Sequence, residues 1–85
     1  MMKRHSHQFV ETYTELVGFG MDRETDENTV VYYLQKFSDD ALMQTLKKRL
    51  DDSELESLFE LMSSLLHKYL SEEEYHALFL KEDHS

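Results

Sequence analysis

One long amphipathic segment, residues 51–70, constrains the fold of this chain more than any other feature. Its apolar residues recur at steps of three and one, the spacing that places side chains on one face of an α-helix. Two acids and a serine open the segment, and such residues are preferred at helix N-termini. We therefore predict a central helix on which the rest of the chain packs. Its apolar face comprises Leu55, Leu58, Phe59, Met62, Leu65, Leu66 and Tyr69.

The size and composition of the chain favour one small globular domain. A chain of 85 residues has a thin margin of stability, which self-association often supplements. An apolar fraction of 40% and an aromatic fraction of 12% suffice for a compact core despite 32% charged residues. We expect residues 1–85 to form a single helical domain in which residues 1–5 and 81–85 are frayed.

Cysteine content, hydropathy and charge argue against several classes of protein. The absence of cysteine excludes disulfides and thiolate metal sites. No apolar run approaches the roughly 18 residues of a membrane span, and the N-terminus lacks a signal-peptide core, so we expect a cytoplasmic protein without a membrane partner. The net charge of −9 would repel nucleic acid. The only basic run, residues 47–49, lies near a predicted helix end, where cations are favoured anyway.

A first helix is predicted to begin near Ser6 or His7. It should end at Gly18 and Gly20, because a glycine there can adopt the left-handed conformation that closes a helix. Its apolar stripe comprises Phe9, Val10, Tyr13, Leu16 and Val17. The residues expected to fold back onto the core after this helix are Phe19 and Met21.

A second helix is predicted to begin within residues 22–27, which contain three rival caps. Residues 29–34 have the composition of a strand, but the chain contains no second strand candidate to pair with them. The helical spacing of the apolar residues in this segment therefore favours a helix over a strand. The rival caps are Asp22, Thr25 and Asp26, and the apolar residues at helical spacing are Val30, Val31, Leu34 and Phe37.

A recurring frame in residues 37–42, 50–55 and 70–75 marks the starts of three further helices. Each frame has an apolar residue, a cap residue, acids, and a second apolar residue five positions after the first, which is a hydrophobic staple joined to an N-cap. The third helix should span about 39–50, the fourth is the central helix, and the fifth should span about 72–80. The fold class is therefore all-α, a single small bundle of about five short helices with orthogonal or irregular packing.

The polar residues form no catalytic constellation. The chain lacks a nucleophile motif and a phosphate loop, and its paired carboxylates lie at helix starts, which stabilise them as anions. We expect no enzyme and no cofactor. An alternative is a metal-binding helical protein that uses Glu73 and His76, an E-x-x-H pair, with help from His5 or His7, although carboxylate-bridged bundles need two such pairs. A third hypothesis is an acidic nucleic-acid mimic.

Three apolar residues, Tyr32, Leu61 and Leu80, lie off the best core faces of their helices. A contiguous exposed patch would mark a partner site. The alternative is a wide core face, because a central helix surrounded by others needs more than one narrow stripe, and both interpretations stay open. The leading hypothesis is a non-enzymatic protein-interaction or regulatory module. It would bind a protein partner, or associate with itself, through these three residues.

Residues 6–22, 26–50 and 71–80 resemble, in their general pattern, a family of short bacterial proteins known only as hypothetical cytosolic proteins. The resemblance covers nearly the whole chain. It implies a bacterial cytosolic origin and assigns no catalytic residues.

Overall fold

The computed structural model describes residues 7–82, and this part of the chain is all-α, which confirms the predicted fold class. It contains five α-helices and one π-helical turn, and no strand occurs within residues 7–82. No helix in this range combines the length and the apolar character that crossing a membrane requires. The elements are α1 (Phe9–Thr12), α2 (Arg23–Phe37), α3 (Asp40–Leu46), α4 (Asp52–Tyr69), α5 (Glu72–Glu74) and the π-helical turn (Tyr75–Phe79).

The chain divides into two compact units. The described part of the N-terminal unit is residues 7–49, in which α1 and α3 each pack against α2. The described part of the C-terminal unit is residues 50–82, which contains α4, α5 and the π-helical turn. The expected fraying of residues 1–5 and 83–85 lies outside the described residues.

The first helix is much shorter than its apolar spacing predicts, because α1 ends at Thr12 and the backbone is extended at Tyr13. Threonine, tyrosine and valine, which are frequent in this segment, have weak helix propensity. The backbone beyond α1 finds polar partners on α2 instead. The Gly18 N–H donates to Thr29 Oγ1 at 3.0 Å, and the Thr29 hydroxyl donates to the Gly18 carbonyl at 3.0 Å. These bonds satisfy backbone groups that a longer helix would have paired internally.

Of the three rival caps of α2, Asp22 is the N-cap. Its carboxylate accepts from the Thr25 N–H at 2.8 Å and from the Thr25 hydroxyl at 3.0 Å. Asp26 has a different role, since its Oδ1 accepts from the Gly20 N–H at 2.8 Å and so holds the preceding loop. Gly20 has a φ of +95°, the left-handed conformation that glycine tolerates best. The predicted second helix is confirmed over Arg23–Phe37.

The third helix is capped one residue later than its frame predicts and ends earlier. Ser38 closes α2, and Asp39 caps α3 by accepting from the N–H groups of Ala41 and Leu42. The helix stops at Leu46 instead of residue 50, and turns occupy residues 47–49. The prediction of a third helix is therefore confirmed, but its extent was wrong.

The starts of α4 and α5 match the sequence frames closely. Asp51 and Glu54 form a capping box through bonds of 2.8 and 3.0 Å, and Ser71 and Glu74 form another through bonds of 3.1 and 2.8 Å. After Glu74 the helix widens into the π-helical turn, which the Leu80 N–H closes by donating to the Tyr75 carbonyl at 3.0 Å. At the end of the described range the Glu82 N–H donates to the His76 carbonyl at 2.9 Å.

The described residues contain no fully buried apolar side chain, and Thr29, at 5% exposure, is their only buried residue. The expectation that Phe19 and Met21 fold back onto a core was wrong, because both side chains are exposed. The apolar face of the central helix is exposed over most of its length, so the described elements of its own unit, α5 and the π-helical turn, do not cover it. Hydrophobic spacing identifies side chains that share a face, but it does not identify what covers them.

Candidate interaction surface

Among residues 7–82, the helix that exposes the largest number of large apolar side chains is α4. We define the α4 face as the seven large apolar side chains that α4 exposes at neighbouring helical positions. Their exposed fractions run from 45% at Leu55 to 68% at Phe59. The helix has 18 residues and is therefore about 27 Å long. The α4 face comprises Leu55, Leu58, Phe59, Leu61, Met62, Leu65 and Tyr69.

Charge is distributed unevenly along α4. Acidic residues occupy its first half, and the last turn carries His67 and Lys68. This order suits the helix dipole, whose N-terminal end favours anions and whose C-terminal end favours cations. Lys68 Nζ lies 5.2 Å from the centre of the Tyr69 ring, a cation–π distance that keeps the cation beside the α4 face. The acids in or before the first half are Asp51, Asp52, Glu54, Glu56 and Glu60.

The C-terminal end of α4 is bounded by a groove of about 340 Å³. Leu66 and Leu70 line this groove together with Tyr75 and are half-buried, in contrast to the α4 face. The Tyr75 ring stacks on the Phe79 ring, with centroids 5.3 Å apart. Leu66 belongs to the predicted stripe, but the structure gives it a neighbour within its own unit. The exposed surface therefore ends before the last turn on that side of the helix.

The three residues predicted to bind a partner occupy different environments. Tyr32 lies in the N-terminal unit and is half-buried, with its ring 6.0 Å from the Tyr13 ring and Lys36 Nζ 5.3 Å from its centre. Leu61 and Leu80 lie in the C-terminal unit and are 56% and 37% exposed. Leu61 adjoins the predicted stripe, so the structure unites it with that stripe on one exposed surface.

The alternative metal ligands show a different pairing from the one predicted. His76 Nδ1 lies 2.6 Å from Glu82 Oε1, a contact across the π-helical turn, while Glu73 is exposed on α5. Among residues 7–82, no three histidine, aspartate or glutamate side chains gather as a metal site would require. His7 lines a separate groove of about 460 Å³ beside α2, and His5 lies outside the described residues.

The N-terminal unit also exposes apolar side chains along α2, five against the seven of the α4 face. At 100° per residue they cover an arc of about 160° around the helix, the same width as the α4 face. A groove of about 420 Å³ lies at one side, with Tyr33 and Phe37 among its lining residues. This surface differs from the α4 face in length and in the number of its apolar side chains.

Sequence reasoning missed Phe59 and Tyr69 as surface residues, because it assigned them to the core. They are among the most exposed side chains of α4, at 68% and 66%. The sequence offered no signal for this exposure, because helical spacing groups the residues of one face without showing what covers them.

Comparisons with known proteins return no match: no protein-family model, no curated protein and no solved structure is significantly similar to this chain.

Proposed function

We propose that this chain is a non-enzymatic protein-interaction module that binds another polypeptide through the α4 face. One observation carries the proposal: seven large apolar side chains are exposed side by side on a single capped helix. At roughly 100 Å² each they expose about 700 Å², whereas the largest apolar patch of a typical monomer is about 300–600 Å². Covering such a surface is favourable because it removes apolar area from water.

The composition of the α4 face fits a protein partner. Phe59, Tyr69 and Met62 are of the types that are enriched at the centres of protein interfaces. Acidic residues border the face, and the net charge of −9 disfavours nucleic acid as the partner. The capping box at Asp51 fixes the start of the helix, so the face is preorganised before binding.

Site-specific photo-crosslinking in the native host cell tests this proposal. A photoreactive amino acid replaces Met62 on the α4 face, and a matched variant carries it at Ser64, two residues away on the opposite side of the helix. The expected result is an adduct with a polypeptide at position 62 and none at position 64. Equal adducts at both positions, or none at either, would contradict an interaction through this face.

A further inference from the structure

We infer that the α4 face is occupied by α4 of a second copy of this chain, in antiparallel orientation. The inference rests on the proposed function and specifies its partner. Three properties of α4 support it: the period of its apolar residues, the order of its charges and the area of its exposed face.

The α4 face follows the heptad spacing of two-helix coiled coils over two heptads, residues 55–68. Its central residues are spaced alternately by three and four positions, an average of 3.5, which keeps one seam facing a partner helix as the pair supercoils. In heptad notation Leu55, Met62 and Tyr69 occupy the a positions, and Leu58 and Leu65 occupy the d positions. The flanking positions are Phe59 and Leu66 at e, and Glu54, Leu61 and Lys68 at g.

The order of charges on α4 selects the antiparallel orientation. In a parallel pair the acidic first halves of both helices would lie side by side, with their dipoles aligned. In an antiparallel pair the last turn of each helix, which carries Lys68, lies beside the acidic first half of the other. Like charges are thereby separated and opposite charges are brought together.

One antiparallel register pairs four of the five central apolar positions with each other and also satisfies the charged positions, and it places Tyr69 beside Asp51 of the second copy. It packs Leu55 against Leu65 of the second copy, and Leu58 against Met62 of the second copy, with each layer repeated by two-fold symmetry. The same register places Glu54 opposite Lys68 of the second copy, again twice.

Leu61 then lies opposite Leu61 of the second copy, at the two-fold axis. A shift by one heptad would instead place Lys68 opposite Leu61 and lose both ion pairs. The position of Leu61 beside the main stripe, which the sequence left unexplained, is accounted for by this register.

The exposed area suits a dimer of this kind. The six side chains of the α4 face other than Tyr69, at roughly 100 Å² each, would bury up to about 1,200 Å² in total, at the lower end of the range of about 1,200–2,000 Å² for stable specific interfaces. The contact is isologous, so it closes with two copies and does not propagate into a filament.

Sedimentation equilibrium on the purified chain and on charge-changing variants tests whether two α4 helices pair in this register. The expected mass is twice the chain mass of 10.2 kDa. Lys68→Glu alone should weaken dimerisation roughly tenfold, because two carboxylates then oppose each other twice. Adding Glu54→Gln removes one of the opposed charges but keeps the acceptor oxygen of the capping box, so this double variant should recover to within about threefold of the wild type. Glu60→Lys, a charge reversal on the opposite side of α4, should leave dimerisation within about threefold.

Disulfide formation tests the orientation, since the native chain has no cysteine. In a mixture of Leu58→Cys and Met62→Cys chains, the antiparallel register predicts mainly mixed disulfides, which mass spectrometry separates from the like-with-like products. Mainly like-with-like disulfides would overturn the antiparallel orientation.

A monomeric mass at millimolar concentration would overturn the second copy as the partner. The proposed function would survive that result if the adduct at position 62 contained a different polypeptide, and would fail with it if no adduct formed.

Discussion

Helices α2 and α4 are the two long helices within residues 7–82, and different interactions stabilise them. Along α2, side chains bind the backbone of the segment that precedes it. Gln35 Oε1 accepts from the Val10 N–H at 3.0 Å, and Thr29 bonds twice to Gly18. On α4 the polar side-chain bonds act at its first turn, through Asp51 and Glu54, and the rest of the helix presents the α4 face.

This difference indicates how closely each helix determines what can pack against it. Hydrogen bonds are directional, so those from Thr29 and Gln35 fix one path for the residues that cross α2. Apolar contact is non-directional and depends on area, so the α4 face gains from any well-matched surface. The path of the N-terminal unit is thus fixed by hydrogen bonds within the chain, whereas α4 presents an exposed apolar face. Each of the following variants changes an interaction of either α2 or α4.

The largest effect is expected from a charge in the middle of the α4 face. Met62→Glu places a carboxylate in the apolar seam, where it would be desolvated without a partner, so dimerisation should weaken more than about 100-fold. Because Met62 is 53% exposed in the single chain, the helical circular dichroism signal should be retained. Ser64→Glu adds the same side chain on the opposite side and should leave dimerisation nearly unchanged. Sedimentation equilibrium measures both, and equal weakening by the two variants would contradict a specific role for the α4 face.

The next largest effect is a loss of stability when the bonds between Thr29 on α2 and Gly18 are removed. Thr29→Val keeps the shape of the side chain but removes both bonds to Gly18, leaving its N–H and carbonyl without these partners. Urea unfolding should show a loss of about 1–3 kcal/mol in the free energy of unfolding. The Gly18 amide should also exchange faster with deuterium. Thr14→Val changes an exposed threonine and should cost less than about 0.5 kcal/mol, so comparable losses from the two variants would argue against Thr29 as the anchor of this segment.

A smaller effect is expected at the start of α4. Asp51→Ala removes the acceptor for the Glu54 N–H and should reduce the free energy of unfolding by about 1 kcal/mol. Asp51→Asn retains an acceptor oxygen and should restore most of that loss. If the two variants were equally unstable in urea, the charge of Asp51, and not its hydrogen bond, would be the stabilising feature.

The contrast between α2 and α4 also explains which features the sequence could predict. The caps at Asp51 and Ser71 were predictable, because each capping box is formed within four consecutive residues. The early end of α1 was not, since it depends on bonds between Gly18 and Thr29, eleven residues apart. Neither was the His76–Glu82 pair, because the π-helical turn brings together residues six apart, outside the usual helical spacing.

The candidate site was predictable in composition but not in exposure. Periodicity correctly grouped the apolar side chains of α4 and placed Leu61 beside them. It could not show that this face would be exposed, because periodicity groups the side chains of a face without indicating what packs against them. Within its own unit α4 is followed only by α5, of three residues, and the π-helical turn, of five, and these leave the face exposed.

The smallest expected effect is a shift in the pKa of Asp22, the N-cap of α2. The Thr25 N–H and, to a lesser degree, the Thr25 hydroxyl donate to the Asp22 carboxylate and lower the pKa of Asp22 below its ordinary value of 3.8. Because this pKa is lower in the folded chain than in the unfolded one, the stabilisation is present above about pH 4 and is lost as the pH falls through the folded pKa. A ¹³C titration of the Asp22 carboxyl should give a midpoint below 3.8. Thr25→Val, which retains the N–H donor, should raise that midpoint only part of the way, and a wild-type midpoint at or above 3.8 would contradict the cap.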